Sequence, residues 1–140
     1  MQDEAITRQL VTDFLQRLSI QDADGLQDLF ADEIDWYVPG NPALPWTGVR
    51  SVRTAVAAYF RKLWQLLAPG KSIVTPGSIV IQDEAAVVFA SFTHTVAATG
   101  TVFHNPVALH ITIAGNRIYK LHLYEDTWVV SNAFLTSLEH

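Results

Sequence analysis

The stretch TVFHNPVALHITIAGNRIYKLHLYEDTW, residues 101–128, predicts two long β-strands joined by a tight turn. Apolar and polar residues alternate in both halves, which is the period of two expected of a strand with two different faces. The turn falls at residues 114–116, Ala-Gly-Asn, because glycine and asparagine tolerate the positive φ angles of a short hairpin loop. The hairpin also carries three histidines and ends near Tyr124 and Asp126. We therefore expect it to supply much of any catalytic site.

The length and composition of the chain indicate one globular domain. A chain of 140 residues with 49% hydrophobic and 16% charged residues can bury a substantial core. We assign residues 1–137 to this domain. Residues 138–140, Leu-Glu-His, resemble the beginning of an expression tag, and His140 is excluded from functional reasoning for that reason.

The charge and the residue types exclude several classes of function. The net charge is −5 and lysine and arginine do not cluster, which argues against nucleic acid as a partner. The chain contains no cysteine, so disulfides and thiol nucleophiles are excluded. No apolar run reaches the roughly 18 residues that a membrane span needs. We expect a cytoplasmic protein with no membrane partner.

The order of predicted elements indicates the fold class. Three helices and a short strand precede four longer strands that are linked by short turns, which favours antiparallel pairing. We predict an α+β fold in which the N-terminal helices pack on a curved, mainly antiparallel sheet. Such a sheet, bent around a helix, encloses a conical cavity that suits a small molecule. The predicted helices are 4–19, 22–31 and 49–67, the predicted strands are 33–38, 71–82, 85–98, 101–113 and 117–128, and 129–136 is a short tail.

Motifs distributed along the chain carry a family resemblance. They are FLQRLSIQDADGLQDLFADEIDW at 14–36, PWTG at 45–48, FHN at 103–105, GNRI at 115–118 and LYEDTW at 123–128. With these motifs the chain resembles the SnoaL-like and ketosteroid isomerase-like proteins of the nuclear transport factor 2-like superfamily. The resemblance implies a cone-shaped fold that hosts isomerases, cyclases, dehydratases, epoxide hydrolases and non-catalytic binders.

The catalytic residues implied by the resemblance are only partly present. The tyrosine and the two aspartates of ketosteroid isomerases correspond to Phe14, Val38 and a position near Ala108, so all three roles are vacant. Asp126 matches the aspartate near the last strand of epoxide hydrolases of this fold. SnoaL-like cyclases use an aspartate and a histidine, and the closest set here is Asp126 with one of the hairpin histidines, His104, His110 or His122.

The candidate catalytic residues all lie in the hairpin. Asp126 and Tyr124 are two residues apart on one predicted face, and a buried carboxylate there would act as general base. The alternative is that Asp126 only ends the strand by accepting backbone hydrogen bonds. His104, His110 and His122 can move protons near pH 7, or can be polar residues of a sheet face. Their spacing does not favour a metal site, and we expect neither a metal nor an organic cofactor.

The leading hypothesis is an acid/base enzyme, an isomerase, cyclase, dehydratase or hydrolase, that acts on an apolar, aromatic or polyketide-like substrate. The alternatives are a non-catalytic small-molecule binder and a protein-interaction module that uses the open sheet face. A homodimer is expected, because helices cover only one face of the sheet. The predicted substrate-binding residues are Phe14, Trp36, Trp46, Tyr59, Asn105 and Trp128.

Overall fold

The computed structural model describes residues 2–135 as four helices and six strands. The predicted tag at 138–140 lies outside these residues. The helices are α1 Gln2–Ser19, α2 Ala23–Asp28, α3 Ala55–Trp64 and α4 Thr127–Leu135. The strands are β1 Phe30–Val38, β2 Gly48–Val52, β3 Ile73–Gln82, β4 Ala85–Thr95, β5 Val102–Ala114 and β6 Arg117–Glu125. None of the helices within 2–135 is long and apolar enough to cross a membrane.

The six strands form one sheet in the order β2-β1-β6-β5-β4-β3. All neighbours pair antiparallel except β1 and β6, which are parallel. The register shifts within four of the five strand pairs, and such irregularities bend a sheet. The predicted α+β fold with a curved, mainly antiparallel sheet is confirmed.

The predicted hairpin of β5 and β6 is present. Gly115 and Asn116 have φ angles of 56° and 62°, the pair of positive values that a type I′ turn requires. In β5 the odd-numbered residues from Phe103 to Ile113 are buried, whereas the even-numbered residues point to the opposite side. We call the buried side, against which the helices pack, the inner face of the sheet, and the opposite side the outer face.

Apart from shifts in where elements begin and end, two stretches differ from the sequence prediction. The single helix predicted over 49–67 is an edge strand, β2, followed by the shorter helix α3, because Val49 and Val52 pair with β1 instead of entering a helix. The tail predicted at 129–136 begins as helix α4, whose Val130 and Ala133 are buried against the core. In both places tertiary pairing and burial override the local pattern.

Candidate functional site

A cavity of about 340 Å³ lies between α1, α3 and the inner face of the sheet. Most of its wall is apolar, and side chains of both helices and of strands β1, β3, β4, β5 and β6 contribute. Such a volume and such a wall suit a small, mainly apolar molecule. The lining residues are Phe14, Leu18, Ser19, Ile20, Gln21, Trp36, Val38, Tyr59, Phe60, Leu63, Trp64, Gly70, Ser72, Val74, Phe92, His94, Leu109, Leu121 and Leu123.

Packed aromatic rings form one wall of the cavity. The centre of the Trp36 ring lies 4.8 Å from the centre of the Tyr59 ring and 5.9 Å from the centre of the Phe60 ring, both in edge-to-face geometry. Trp36 is almost completely buried, and its Nε1–H has no hydrogen-bond partner within residues 2–135. A buried donor without an acceptor is unfavourable, so a ligand oxygen or nitrogen at this position would be stabilised.

His94 in β4 is the titratable group in the cavity wall that is best suited to proton transfer. It is buried, and its Nδ1 lies 2.8 Å from the hydroxyl oxygen of Ser72. Burial lowers the pKa of His94 to about 4, so the imidazole is neutral at pH 7. A neutral imidazole whose ring orientation is held by a hydroxyl can accept a proton from a bound molecule.

A second polar group lies on the inner face where β6 ends. Asn105 Nδ2 donates a hydrogen bond of 2.7 Å to Glu125 Oε2, and Asn105 Oδ1 has no partner among the described residues. Burial raises the pKa of the Glu125 carboxyl, the hydrogen bond from Asn105 lowers it, and the charge of Asp126 raises it further.

Tyr59 connects this polar group to the cavity. It lines the cavity, and its pKa is raised, first by burial and then by the negative charge of Glu125. The guanidinium of Arg50 lies 5.0 Å from the centre of the Tyr59 ring and donates to the carbonyl oxygen of Trp46. The inner face therefore carries two separate polar groups, one at His94 and one at Glu125.

The sequence profile of the SnoaL-like domain matches residues 11–121, which is most of the chain. The chain belongs to the SnoaL-like family. No curated protein matches it.

Solved structures show the same fold as this SnoaL-like chain. A nuclear transport factor 2-like protein from Burkholderia xenovorans is 25% identical, with 93% of this chain and 96% of that chain covered and a TM-score of 0.77. TerC, which was co-crystallised with polyporic acid, is 13% identical over 91% of this chain and 97% of its own, with a TM-score of 0.80. A hypothetical protein with a ketosteroid isomerase-like fold from Catenulispora acidiphila, in complex with trimethylamine, is 15% identical over 89% of this chain and 90% of its own, with a TM-score of 0.74.

The SnoaL-like chain does not place Asp126 and Tyr124 on one strand face, contrary to the sequence interpretation. Asp126 lies beyond the end of β6, is exposed, and accepts a hydrogen bond from the backbone N–H of Val129 at the first turn of α4. Tyr124 is 58% exposed and lies on the outer face. The strand ends at Glu125, so Asp126 takes the position of a helix cap.

The three hairpin histidines also lie on the outer face of this SnoaL-like sheet. His110 and His122 are directly opposite each other on β5 and β6. His122 Nε2 lies 2.8 Å from Asp35 Oδ1, and His104 Nδ1 lies 2.9 Å from Thr93 Oγ1. None of the three lines the cavity, and their catalytic role stays a prediction. Within residues 2–135, no three His, Asp or Glu side chains are grouped in a way that would hold a metal ion.

The residues predicted to bind substrate divide into two groups. Phe14, Trp36 and Tyr59 line the cavity, although ligand contact itself stays a prediction. Trp46 is buried against Phe134 of α4 with 4.6 Å between ring centres, and Trp128 is 72% exposed. Asn105 is buried beside Glu125.

The sequence prediction overlooked His94, Ser72 and Glu125, although two of them leave a signal. In β4 every second residue from Ala86 to Ala90 is buried, and His94 continues this series on the same face. In β6 the alternation of Leu121 and Leu123 leads to Glu125, not to Asp126. A polar residue in phase with a buried apolar series marks a position on the inner face.

Proposed function

We propose that the protein binds a small, flat, mainly apolar molecule in the cavity and acts on it by acid/base chemistry, with His94 as the group that moves the proton. The observation that carries this proposal is a buried, neutral imidazole, held by Ser72, in the wall of an otherwise apolar cavity. The imidazole is unprotonated at neutral pH and can accept a proton, but its low pKa makes it a weaker base than an imidazole that titrates near pH 7.

The chemistry would use two groups of the wall. His94 would take a proton from the bound molecule, and the Nε1–H of Trp36 would donate to an oxygen on which negative charge develops. Isomerisation, cyclisation, dehydration and hydrolysis all include such a step. The aromatic rings of Phe14, Tyr59 and Phe60 would hold the flat part of the molecule.

The family and the fold support a small-molecule role. TerC was crystallised with polyporic acid and the Catenulispora protein with trimethylamine, so two proteins of this fold accept an organic molecule. Since the identities are 13% and 15%, they support the use of the fold and do not identify the ligand of this chain.

The proposal can be tested with a panel of aromatic ketones and phenols. Binding is detected by a rise in Tm or by quenching of tryptophan fluorescence, and conversion of each binding compound is followed by mass spectrometry. His94→Gln should bind the same compounds and convert none of them. His104→Gln, an outer-face histidine, is the matched control and should convert them like the wild type. Equal conversion by His94→Gln would contradict the role of His94.

A non-catalytic binding protein is the second candidate. Within residues 2–135, none of the side chains that line the cavity is a carboxylate, and none of the residues predicted from sequence as catalytic lines it. In this case the same compounds would bind and none would be converted. Trp36→Phe should then weaken those with a hydrogen-bond acceptor more than those without one.

We also propose that a second copy of the chain covers the outer face. Phe89, Ala108 and Tyr124 form one row across β4, β5 and β6, and Phe89 and Tyr124 are 47% and 58% exposed. Apolar side chains in such a row favour association. Light scattering should give twice the monomer mass, and Phe89→Asp should return the monomer.

A further inference from the structure

The amide of Asn105 is held in one orientation and presents an unused acceptor. Asn105 is 3% exposed, and its Nδ2 donates to Glu125 Oε2 over 2.7 Å. A carboxylate can only accept, so this contact requires the NH₂ end of the amide to face Glu125. The other end, Oδ1, is buried without a hydrogen-bond donor among residues 2–135. Buried amide oxygens normally have a donor, so this atom indicates a group that the chain itself does not supply.

Neither Asn105 nor Glu125 lines the cavity, but the strand register places the pair beside residues that do. Leu109 and Leu123 are opposite each other on β5 and β6, and both line the cavity. Glu125 is opposite Val107, two residues further along the strands on the same face. Asn105 lies two residues before Val107 in β5 and is buried on the same inner face. The pair therefore lies on the inner face directly beyond the cavity wall.

The charge next to the pair restricts what can bind there. Glu125 is close enough to Tyr59 for its negative charge to raise the pKa of the phenol, and the guanidinium of Arg50 lies over the Tyr59 ring. Asn105 Oδ1 is itself a neutral acceptor, and a neutral hydrogen-bond donor can pair with it without adding a further charge to this buried group.

We infer that Asn105 and Glu125 form a polar subsite of the cavity, in which Asn105 Oδ1 accepts a hydrogen bond from a hydroxyl group of an otherwise apolar ligand. This inference rests on the proposed use of the cavity as a small-molecule site. Glu125 acts through Asn105, because it fixes the amide so that Oδ1 is presented to the ligand. The ligand therefore combines a flat apolar part, held among the aromatic rings, with a hydroxyl at the β6 end.

The test compares 2-naphthol with 2-methoxynaphthalene, which differ in the hydroxyl donor. Dissociation constants are measured by tryptophan quenching for the wild type and for three variants, Asn105→Leu, Glu125→Gln and the double variant N105L/E125L. The wild type should bind 2-naphthol about tenfold more tightly, the factor that one buried hydrogen bond supplies. Asn105→Leu should reduce this ratio to about 1, with little change for 2-methoxynaphthalene. Glu125→Gln should keep the preference, since the glutamine oxygen still accepts from Asn105 Nδ2.

The outcomes distinguish failure of the proposed subsite from failure of the proposed cavity function. The double variant N105L/E125L leaves no unpaired carboxylate, so it can replace Asn105→Leu if that variant is too unstable to measure. It should also bind the two compounds with a ratio of about 1. Equal binding of both compounds to the wild type, or a ratio that persists in the double variant, overturns the subsite and leaves the cavity proposal intact. If neither compound binds to the wild type, both the subsite and the proposed cavity function are contradicted.

Discussion

Asn105 and Glu125 meet across β5 and β6 on the inner face of the sheet, with 2.7 Å between Asn105 Nδ2 and Glu125 Oε2. The next residue, Asp126, instead turns outward and caps α4. Two adjacent carboxylates thus have opposite environments, because the strand ends between them. The contrast leads to separate predictions for the two residues.

Asp126→Ala should destabilise the protein by about 1 kcal/mol, because α4 loses the side-chain acceptor of its first turn. Asp126→Asn should retain most of that stability, since its amide oxygen can still accept from Val129. Urea unfolding of the two variants measures the difference. Ligand binding and any turnover should survive in both. Loss of turnover in Asp126→Asn, with stability kept, would restore Asp126 as the base expected from the sequence.

Glu125→Gln should become more stable relative to the wild type as the pH rises. The folded-state pKa of Glu125 lies above the unfolded value, chiefly through burial, so ionisation costs stability as pH rises through the folded pKa. Glutamine keeps an acceptor for Asn105 and does not ionise. Unfolding free energies of both proteins between pH 4 and pH 8 test this. If the difference in unfolding free energy between the two proteins is the same at every pH, ionisation of Glu125 does not destabilise the folded protein.

His94→Gln should reduce the loss of stability on acidification. Burial depresses the pKa of His94 to about 4 from 6.5, so below the unfolded pKa the unfolded chain binds a proton that the folded chain does not. The contribution of His94 to the free energy of unfolding is therefore fully present above about pH 6.5. It falls towards pH 4, by about 3 kcal/mol in total. Glutamine carries no such proton. If the unfolding free energies of wild type and variant fall equally with pH over this range, His94 is in contact with solvent in the folded protein.

Gly77→Ala should destabilise β3 by about 1–3 kcal/mol. A Cβ atom at this position would lie 2.8 Å from the carbonyl oxygen of Phe89 in β4, which forces the two strands apart. Ser78→Ala, at an exposed position in the same strand, is the control and should change stability by no more than about 0.5 kcal/mol. Thermal unfolding of both variants provides the comparison. Equal Tm values would show that β3 moves aside freely.

Much of the fold was predictable because its signals are local. The Gly115–Asn116 turn sets the register of β5 and β6, and that register places His110 opposite His122. The beginning of the stretch predicted as a helix over 49–67 was wrong, whereas Ala55–Trp64 is helical as predicted. Pairing of Val49 and Val52 with β1 makes that beginning an edge strand.

The order of residues predicted the alternation within each strand, since successive side chains of a strand point to opposite faces. It predicted the hairpin, the α+β class and three of the aromatic residues that line the cavity, Phe14, Trp36 and Tyr59. Which face the helices cover, and where β6 ends, depends on tertiary packing. The choice of face comes from burial summed over the whole sheet, which favours the leucine face inward and places His94 and Glu125 inside with it. The hairpin histidines remain on the outer face for the same reason, whereas Asp126 lies beyond the end of β6 and caps α4.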